Sequence, residues 1–364
     1  MEYNEYISLS KKDILNFISM VYPFTKTIIT KIDFYVRVTC LNDKEVEFFY
    51  QQGNFKLRMV VENHSGKTVP QFYIFVESLR KITSSASEKV LFVKKDDSFH
   101  TEVLGQLIYV DTDNFTDLNS NDTFNIPNDA GILTDKEVAS KVFNDFQFVF
   151  TFSGYATDKC LVLHDGRCYY NTNSCIVSAP SPFNLKFDAL IPSQFVTLLG
   201  ALFKISEKDV IFHKVRSDDS KFLIFVADEG RIQLQIFYFD DIDDFFNDSV
   251  KGLLNFTQFS KIKDDTLYDL IKTISNFSYL SNVLVLDVNT NTLNINIFSN
   301  DLSKSSVYKY ELIGDCPGSW EMRAMVDMLK VILALDVKDI QYTFTEHGLG
   351  FQFDDICILL RKRI

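Results

Sequence analysis

Apolar residues recur along the chain at two spacings, one helical and one strand-like, and the two alternate. Residues 3–10 alternate as a strand does. Ile14, Phe17, Ile18 and Val21 then stand at i, i+3, i+4 and i+7, which predicts a helix over Lys11 to Phe24 with Ser10 as N-cap and Pro23 near its stop. Strands are predicted over 32–39, 46–51 and 55–62, with turns at Asn42-Asp43 and Gly53-Asn54. The order then begins again. A strand over 71–76 leads to a short helix begun by Phe75, Leu79 and Ile82, and strands follow over 90–93 and 102–110. A third helix starts at Thr134, with Glu137 three residues on in a capping-box pattern, and turns Val138, Val142 and Phe146 inward. Strands over 159–163, 168–170 and 175–178 come next. The fourth helix opens at Pro192 and is striped by Phe195, Leu198, Leu199 and Leu202, before strands over 209–214, 221–227 and 231–239. The fifth carries Leu267, Leu270, Ile271 and Ile274, before strands over 282–288, 292–298 and 307–313. The sixth carries Met322, Met325, Val326 and Leu329, and the chain closes in strands over 339–345, 351–353 and 356–360.

The first stripe residues of these helices are 14, 75, 138, 195, 267 and 322, a repeat of roughly 60 residues. Six helix-plus-strand units taken in pairs predict three similar domains. The Asn/Asp-rich stretch 112–129 and the acidic stretch 240–248 suit boundaries between them. The expected organisation is therefore an α+β chain divided at 1–118, 119–245 and 246–364.

Composition narrows the function classes. The chain has 364 residues, 46% of them hydrophobic, with 35 Phe and only 7 Pro, which favours strands and large cores over disorder. Its net charge of −12 argues against coating nucleic acid with the whole surface, but leaves room for a local basic face. No apolar run reaches the ~18 residues of a membrane span, and the acidic start Met-Glu-Tyr-Asn-Glu does not read as a signal peptide. Six cysteines without a Cys-x-x-Cys pair read as reduced thiols of a cytoplasmic protein. Histidines 64, 100, 164, 213 and 347 show no metal-ligand spacing, and no phosphate-binding loop or nucleophile elbow occurs. His164-Asp165 reads as a surface pair, and the aspartates at 240, 241, 243 and 244 as a solvated loop. The expectation is a protein that is not an enzyme and takes no metal or cofactor.

With this organisation the chain resembles the DNA polymerase sliding clamp in its bacterial three-domain form. The segments that carry the resemblance are Ile191 to Leu202, Leu267 to Leu280, Val283 to Ile295 and the closing module from Gly318 to Ile364. The resemblance implies a head-to-tail ring of two chains, helices lining a channel and strands outside, holding duplex DNA through phosphate attraction without base readout. The DNA-facing candidates on the helices are then Lys11, Lys12, Arg80, Lys81, Lys136, Lys141, Lys204, Lys263, Lys272, Arg323 and Lys330. It also implies an apolar pocket for short peptides of a polymerase and a clamp loader, carried over onto Ile176, Ile358 and Leu360. The chain departs from the family there. Asn171 to Cys175 keeps none of the family's polar residues, and the ending Leu360-Arg361-Lys362-Arg363-Ile364 lacks its proline. The Asn, Lys, Ile and Phe content points to a virus or phage. Two other readings fit the same residues: a monomeric, C-shaped viral processivity factor binding DNA on one basic face, and a β-rich virion structural protein.

Overall fold

The computed structural model describes residues 3–24, 35–53, 55–103, 105–113, 124–143, 160–171, 175–183, 187–217 and 220–242, followed by eight strands between 260 and 361. One order recurs: a strand, a helix, then three antiparallel strands. It first runs through β1 (Tyr6–Ser10), α1 (Lys11–Val21), β2 (Tyr35–Cys40), β3 (Glu45–Gln52) and β4 (Phe55–Glu62). The second run is β5 (Phe72–Phe75), α2 (Val76–Ser85), β6 (Lys89–Lys95), β7 (Ser98–Val103) and β8 (Gln106–Val110), with a short β9 (Thr112–Asp113) after it. The third is β10 (Ile132–Thr134), the helical residues 136–143 (α3), β11 (Cys160–His164), β12 (Arg167–Asn171) and β13 (Cys175–Pro180). The fourth is β14 (Ala189–Pro192), α4 (Ser193–Ile205), β15 (Val210–Ser217), β16 (Ser220–Ala227) and β17 (Ile232–Phe237). The strands continue as β18 (Ser260–Lys261), β19 (Leu284–Asn289), β20 (Thr292–Phe298) and β21 (Ser305–Glu311). The last set is β22 (Gly318–Glu321), β23 (Gln341–Phe344), β24 (Gly348–Phe353) and β25 (Ile356–Arg361). The fifth and sixth predicted helices lie outside the described residues.

Successive runs trade their opening strands. β1 pairs with β6 and β5 with β2. β10 pairs with β15 and β14 with β11. β18 pairs with β23 and β22 with β19. Two further pairings join strands far apart in sequence: β4 with β17, and β13 with β25. The result is a nine-stranded sheet, β10-β15-β16-β17-β4-β3-β2-β5-β9, and an eight-stranded sheet, β14-β11-β12-β13-β25-β24-β23-β18. Two four-stranded sheets, β1-β6-β7-β8 and β21-β20-β19-β22, complete the set among the described residues. The chain divides into two compact units, Met1–Ser140 with Thr197–Tyr238, and Lys141–Val196 with Phe239–Ile364. The β4–β17 joint lies in the first unit and the β13–β25 joint in the second. The predicted boundaries at 118 and 245 fall outside the described residues.

The predicted apolar stripes of α1 and α4 are buried throughout, and Phe17 of α1 meets Phe48 of β3 with ring centroids 5.2 Å apart. Elsewhere the helical phase differs from the predicted one. α2 buries Val76, Leu79 and Thr83. α3 buries Ala139, Val142 and Phe143 and leaves Val138 49% exposed. Its cap is Asp135 rather than Thr134: the carboxylate Oδ1 accepts from the N–H groups of Glu137 (2.8 Å) and Val138 (3.0 Å), while Thr134 ends β10. Pro192 closes β14 instead of opening α4. The predicted strand 102–110 is part of a hairpin, β7 and β8, turned at Gly105 with φ of +76°.

Candidate nucleic-acid interface

Each of the four described helices carries one exposed lysine: Lys12 on α1, Lys81 on α2, Lys141 on α3 and Lys204 on α4. The neighbours of these lysines on the exposed faces are mostly short or uncharged. Lys12 shares its face with Leu15 and Ser19, Lys81 with Ser84, Ser85 and the partly buried Glu77, and Lys141 with Glu137 and Val138, while the other exposed residue of α4 is Gln194 near its start. Such a face offers a thin layer of positive charge with no rigid fork for a base edge. That suits phosphate attraction and does not suit sequence readout.

The other described candidates are engaged within the protein. Lys11 Nζ donates to the carbonyls of Ala86 (2.6 Å) and Ser84 (3.5 Å), so this cation sits on the C-terminal end of α2, where the helix dipole and unpaired carbonyls favour it. Arg80 makes a bidentate pair with Glu77 (2.7 and 2.6 Å) and lies 5.3 Å over the Tyr22 ring, tying α2 to the end of α1. That guanidinium holds the Glu77 carboxyl below the usual carboxylate range, chiefly through the hydrogen bond. Of the four exposed lysines, Lys81 stands 3.9 Å from the same carboxylate and stays exposed. Lys136 is half-buried, its Nζ 3.5 Å from the Glu207 carbonyl and its backbone N–H on Asp209. Lys263, Lys272, Arg323 and Lys330 lie outside the described residues.

The three pocket candidates fall on neighbouring strands but on two faces. In the β13–β25 register Ile176 stands opposite Leu359, Val177 opposite Ile358, and Cys175 opposite Leu360. Opposed residues share a face and successive residues alternate, so Ile176 and Leu359 lie on one side, Ile358 and Leu360 on the other. Ile176, Ile358 and Leu359 are all buried. The face of Ile176 also carries Val162, Tyr169 and Leu190 in one row across β11, β12 and β14. Leu359, not singled out by sequence, is thus the neighbour of Ile176. The run Ile356 to Leu360 has no polar alternation to show which side chains share a face.

The pairing rule leaves two strands over. The outermost strand of the first run joins that of the fourth (β4–β17), and the outermost strand of the third joins that of the last (β13–β25). β8 and β21, the outermost strands of the second run and of the set β18–β21, each end a sheet with one neighbour among the described residues. On β8 Ile108 is 48% and Tyr109 60% exposed, on opposite faces of the strand. An edge that offers apolar groups on both faces is built to be continued rather than solvated.

No protein-family model matches the sequence, and no curated protein matches it. Solved structures do match the fold over nearly the whole chain. The DNA polymerase sliding clamp from Bacillus subtilis superposes with a TM-score of 0.74 at 12% identity, covering 99% of each chain. The DNA polymerase III subunit beta from Pseudomonas aeruginosa gives 0.72 at 12% identity, covering 99% of this chain and 100% of that one. The Helicobacter pylori beta clamp, solved with a DNA ligase peptide, gives 0.70 at 12% identity with 99% and 100% coverage. The chain has the fold of the DNA polymerase III beta sliding clamp.

Proposed function

We propose that this chain is a non-catalytic processivity factor: a sliding clamp that encircles duplex DNA and tethers a replicative polymerase. The observation that carries the reading is the pair of outer strands, β8 and β21, each with one neighbour among the described residues. Within the chain, the outer strand of the first half of one domain joins that of the second half of the next. Domains 1–118, 119–245 and 246–364 use this rule twice, at β4–β17 and β13–β25. A third use leaves β21 of one chain to pair with β8 of another, and two chains closed head to tail satisfy both ends. Ile108 and Tyr109 are then covered by the partner's strand. Twelve helices line the channel, each described one offering a single exposed lysine to the phosphates, in the manner of a sleeve that attracts without gripping. The acidic remainder, with its net charge of −12, keeps DNA from other surfaces. Polymerase and clamp loader dock through short peptides on the sheet face of Ile176 and Leu359, with Ile358 and Leu360 supporting it from the opposite face. The protein acts where DNA is replicated, in the host cytoplasm if it is viral.

Solution mass and DNA retention test this together. A closed ring is expected at about 84 kDa, twice 42.0 kDa, by light scattering at micromolar concentration. Once loaded, it is expected to stay on circular DNA and run off linear DNA. A 42.0 kDa species that leaves both substrates equally fast would overturn the ring.

A further inference from the structure

The segment after β17 crosses the apolar row of the second unit. Phe239 makes an antiparallel bridge with Leu190 on the free edge of β14, its carbonyl accepting at 2.6 Å and its N–H donating at 3.0 Å. Three residues on, Ile242 is buried in a cluster with Val162 and Tyr169, with Leu190 packed against it. This cluster lies on the opposite face of the sheet from Leu161, Tyr170 and Ile191. Ile242 is one branched aliphatic side chain set among aspartates, Asp240 and Asp241 before it and Asp243 and Asp244 after it in sequence. Two basic side chains stand at the end of the same face. Arg167 stands two residues before Tyr169 on the same face, its Nε donating to Ser178 Oγ at 2.8 Å. His164, opposite Arg167 in the register, has its Nδ1 2.8 Å from Asp188 Oδ1.

We infer that the row of Val162, Tyr169 and Leu190 is a docking surface for a short peptide whose anchor is a branched aliphatic residue flanked by acids, and that Ile242 is its resident occupant, which a partner must displace. The inference rests on the reading that partners are recruited through short peptides on this sheet face, and it adds what regulates their access. The chain's own segment shows the chemistry the surface accepts: an aliphatic anchor in the cluster, flanked in sequence by carboxylates. Phe239, 52% exposed, fastens the segment to β14 through its backbone. A tethered occupant competes at an effective concentration in the millimolar range, so it raises the affinity that an incoming peptide must have.

The test is fluorescence anisotropy with a labelled synthetic peptide of residues 238–245, titrated with the full-length chain. Ile242→Ala is expected to bind the peptide at least about tenfold tighter than the unaltered chain, because the competitor is removed. The same peptide with aspartate in place of its isoleucine is expected to bind neither. Leu190→Lys, at a half-buried position of the row, is expected to abolish the gain when combined with Ile242→Ala. Should that double variant fail to fold by circular dichroism, the anchor-substituted peptide still decides. Equal affinity for the unaltered chain and Ile242→Ala, or binding that ignores the anchor, would overturn the proposal. Unchanged anisotropy beside an intact dimer and DNA retention would remove the docking surface alone. A tenfold gain beside a chain that is monomeric and leaves DNA would remove the clamp reading and keep the surface.

Discussion

The β4–β17 joint of the first unit and the β13–β25 joint of the second make the same antiparallel connection but differ in the chemistry of one face. On the face of the first joint that points away from α1, Arg37, Phe49 and Arg58 form one row across β2, β3 and β4. Arg37 lies 4.7 Å over the Phe49 ring. Glu47 takes Arg37 at 3.0 Å and Arg58 at 2.6 Å. Arg58 also donates to the Gly230 carbonyl at 3.2 Å, in the turn that leads into β17. The other face of the first joint is apolar, pairing Leu57 with Leu234 and Met59 with Ile232. The second joint is apolar on both faces, pairing Ile176 with Leu359 on one and Val177 with Ile358 on the other, each of these four at most 5% exposed. Ion pairs with fixed geometry choose one register and penalise the others, since a slipped arginine loses its carboxylate. Apolar pairs bind more strongly for their area but discriminate less between registers. The charged face of the first joint therefore holds alignment, while the second joint relies on apolar burial on both faces.

The largest effect is expected where burial does the holding. Ile176→Ala should cost about 3 kcal/mol of stability, the transfer loss plus a cavity between β13 and β25. Hydrogen exchange should rise first in β11 to β13 and β24 to β25. A loss spread evenly over both units would mean that the second joint is not an apolar keystone. Glu47→Ala comes next, at about 2 kcal/mol. It leaves two arginines facing each other, but their partial exposure screens the repulsion, so the cost stays below that of a fully buried pair. Denaturant titration with added salt distinguishes the two joints. Salt should narrow the gap between Glu47→Ala and the unaltered chain and leave the Ile176→Ala gap as it is.

Much of this organisation can be read from the sequence, and the losses have physical causes. The stripes of α1 and α4 are unambiguous because large side chains fill every inward position. α3 is misphased because its inward face begins with Ala139, which contributes little apolar signal beside the exposed Val138. The strand over 102–110 looks continuous because only Gly105 marks its reversal. The traded opening strands and the two joints rest on pairings between residues far apart, and no local pattern encodes them. At the candidate site the apolar stripes place the basic residues on helices, four of which are described, but nothing local separates exposed cations from engaged ones. Lys11 and Lys12 are adjacent in sequence, yet one closes the end of α2 and the other is exposed.

That adjacency gives the next prediction. Lys11→Ala should cost about 1 kcal/mol through its lost bonds to the end of α2, with little change in DNA retention. Lys12→Ala should leave stability unchanged and lower the slope of log affinity against log salt by about one for each phosphate that the lysine neutralises. If the two substitutions weaken DNA retention equally, the division between engaged and exposed cations fails.

The smallest effect belongs to a second polar clasp of the first unit, and it lies on the acid side. Asp129 Oδ1 is 2.8 Å from His213 Nδ1 and accepts from the Gly131 N–H at 3.0 Å, fastening the segment before β10 to β15. Gly131 has φ of +60°, and a Cβ there would lie 2.5 Å from Ile211, so this turn admits no other residue without a shift. The hydrogen bond to His213, and after it that from Gly131, holds the Asp129 carboxyl below the ordinary carboxylate value of 3.8. A depressed carboxylate contributes stability that is present above its unfolded pKa and is lost as pH falls through the folded one. Asp13 runs the other way, because burial raises its carboxyl and acid relieves that cost. The informative quantity is therefore the difference between the unaltered chain and Asp129→Asn, whose amide oxygen can still accept from Gly131. That difference in melting temperature should shrink as pH falls below about pH 4, with the change in hydrogen exchange confined to β10 and β15. A difference that persists unchanged to low pH would mean that the carboxylate's charge adds nothing to the clasp, and that the segment is held by the shape of the Gly131 turn alone.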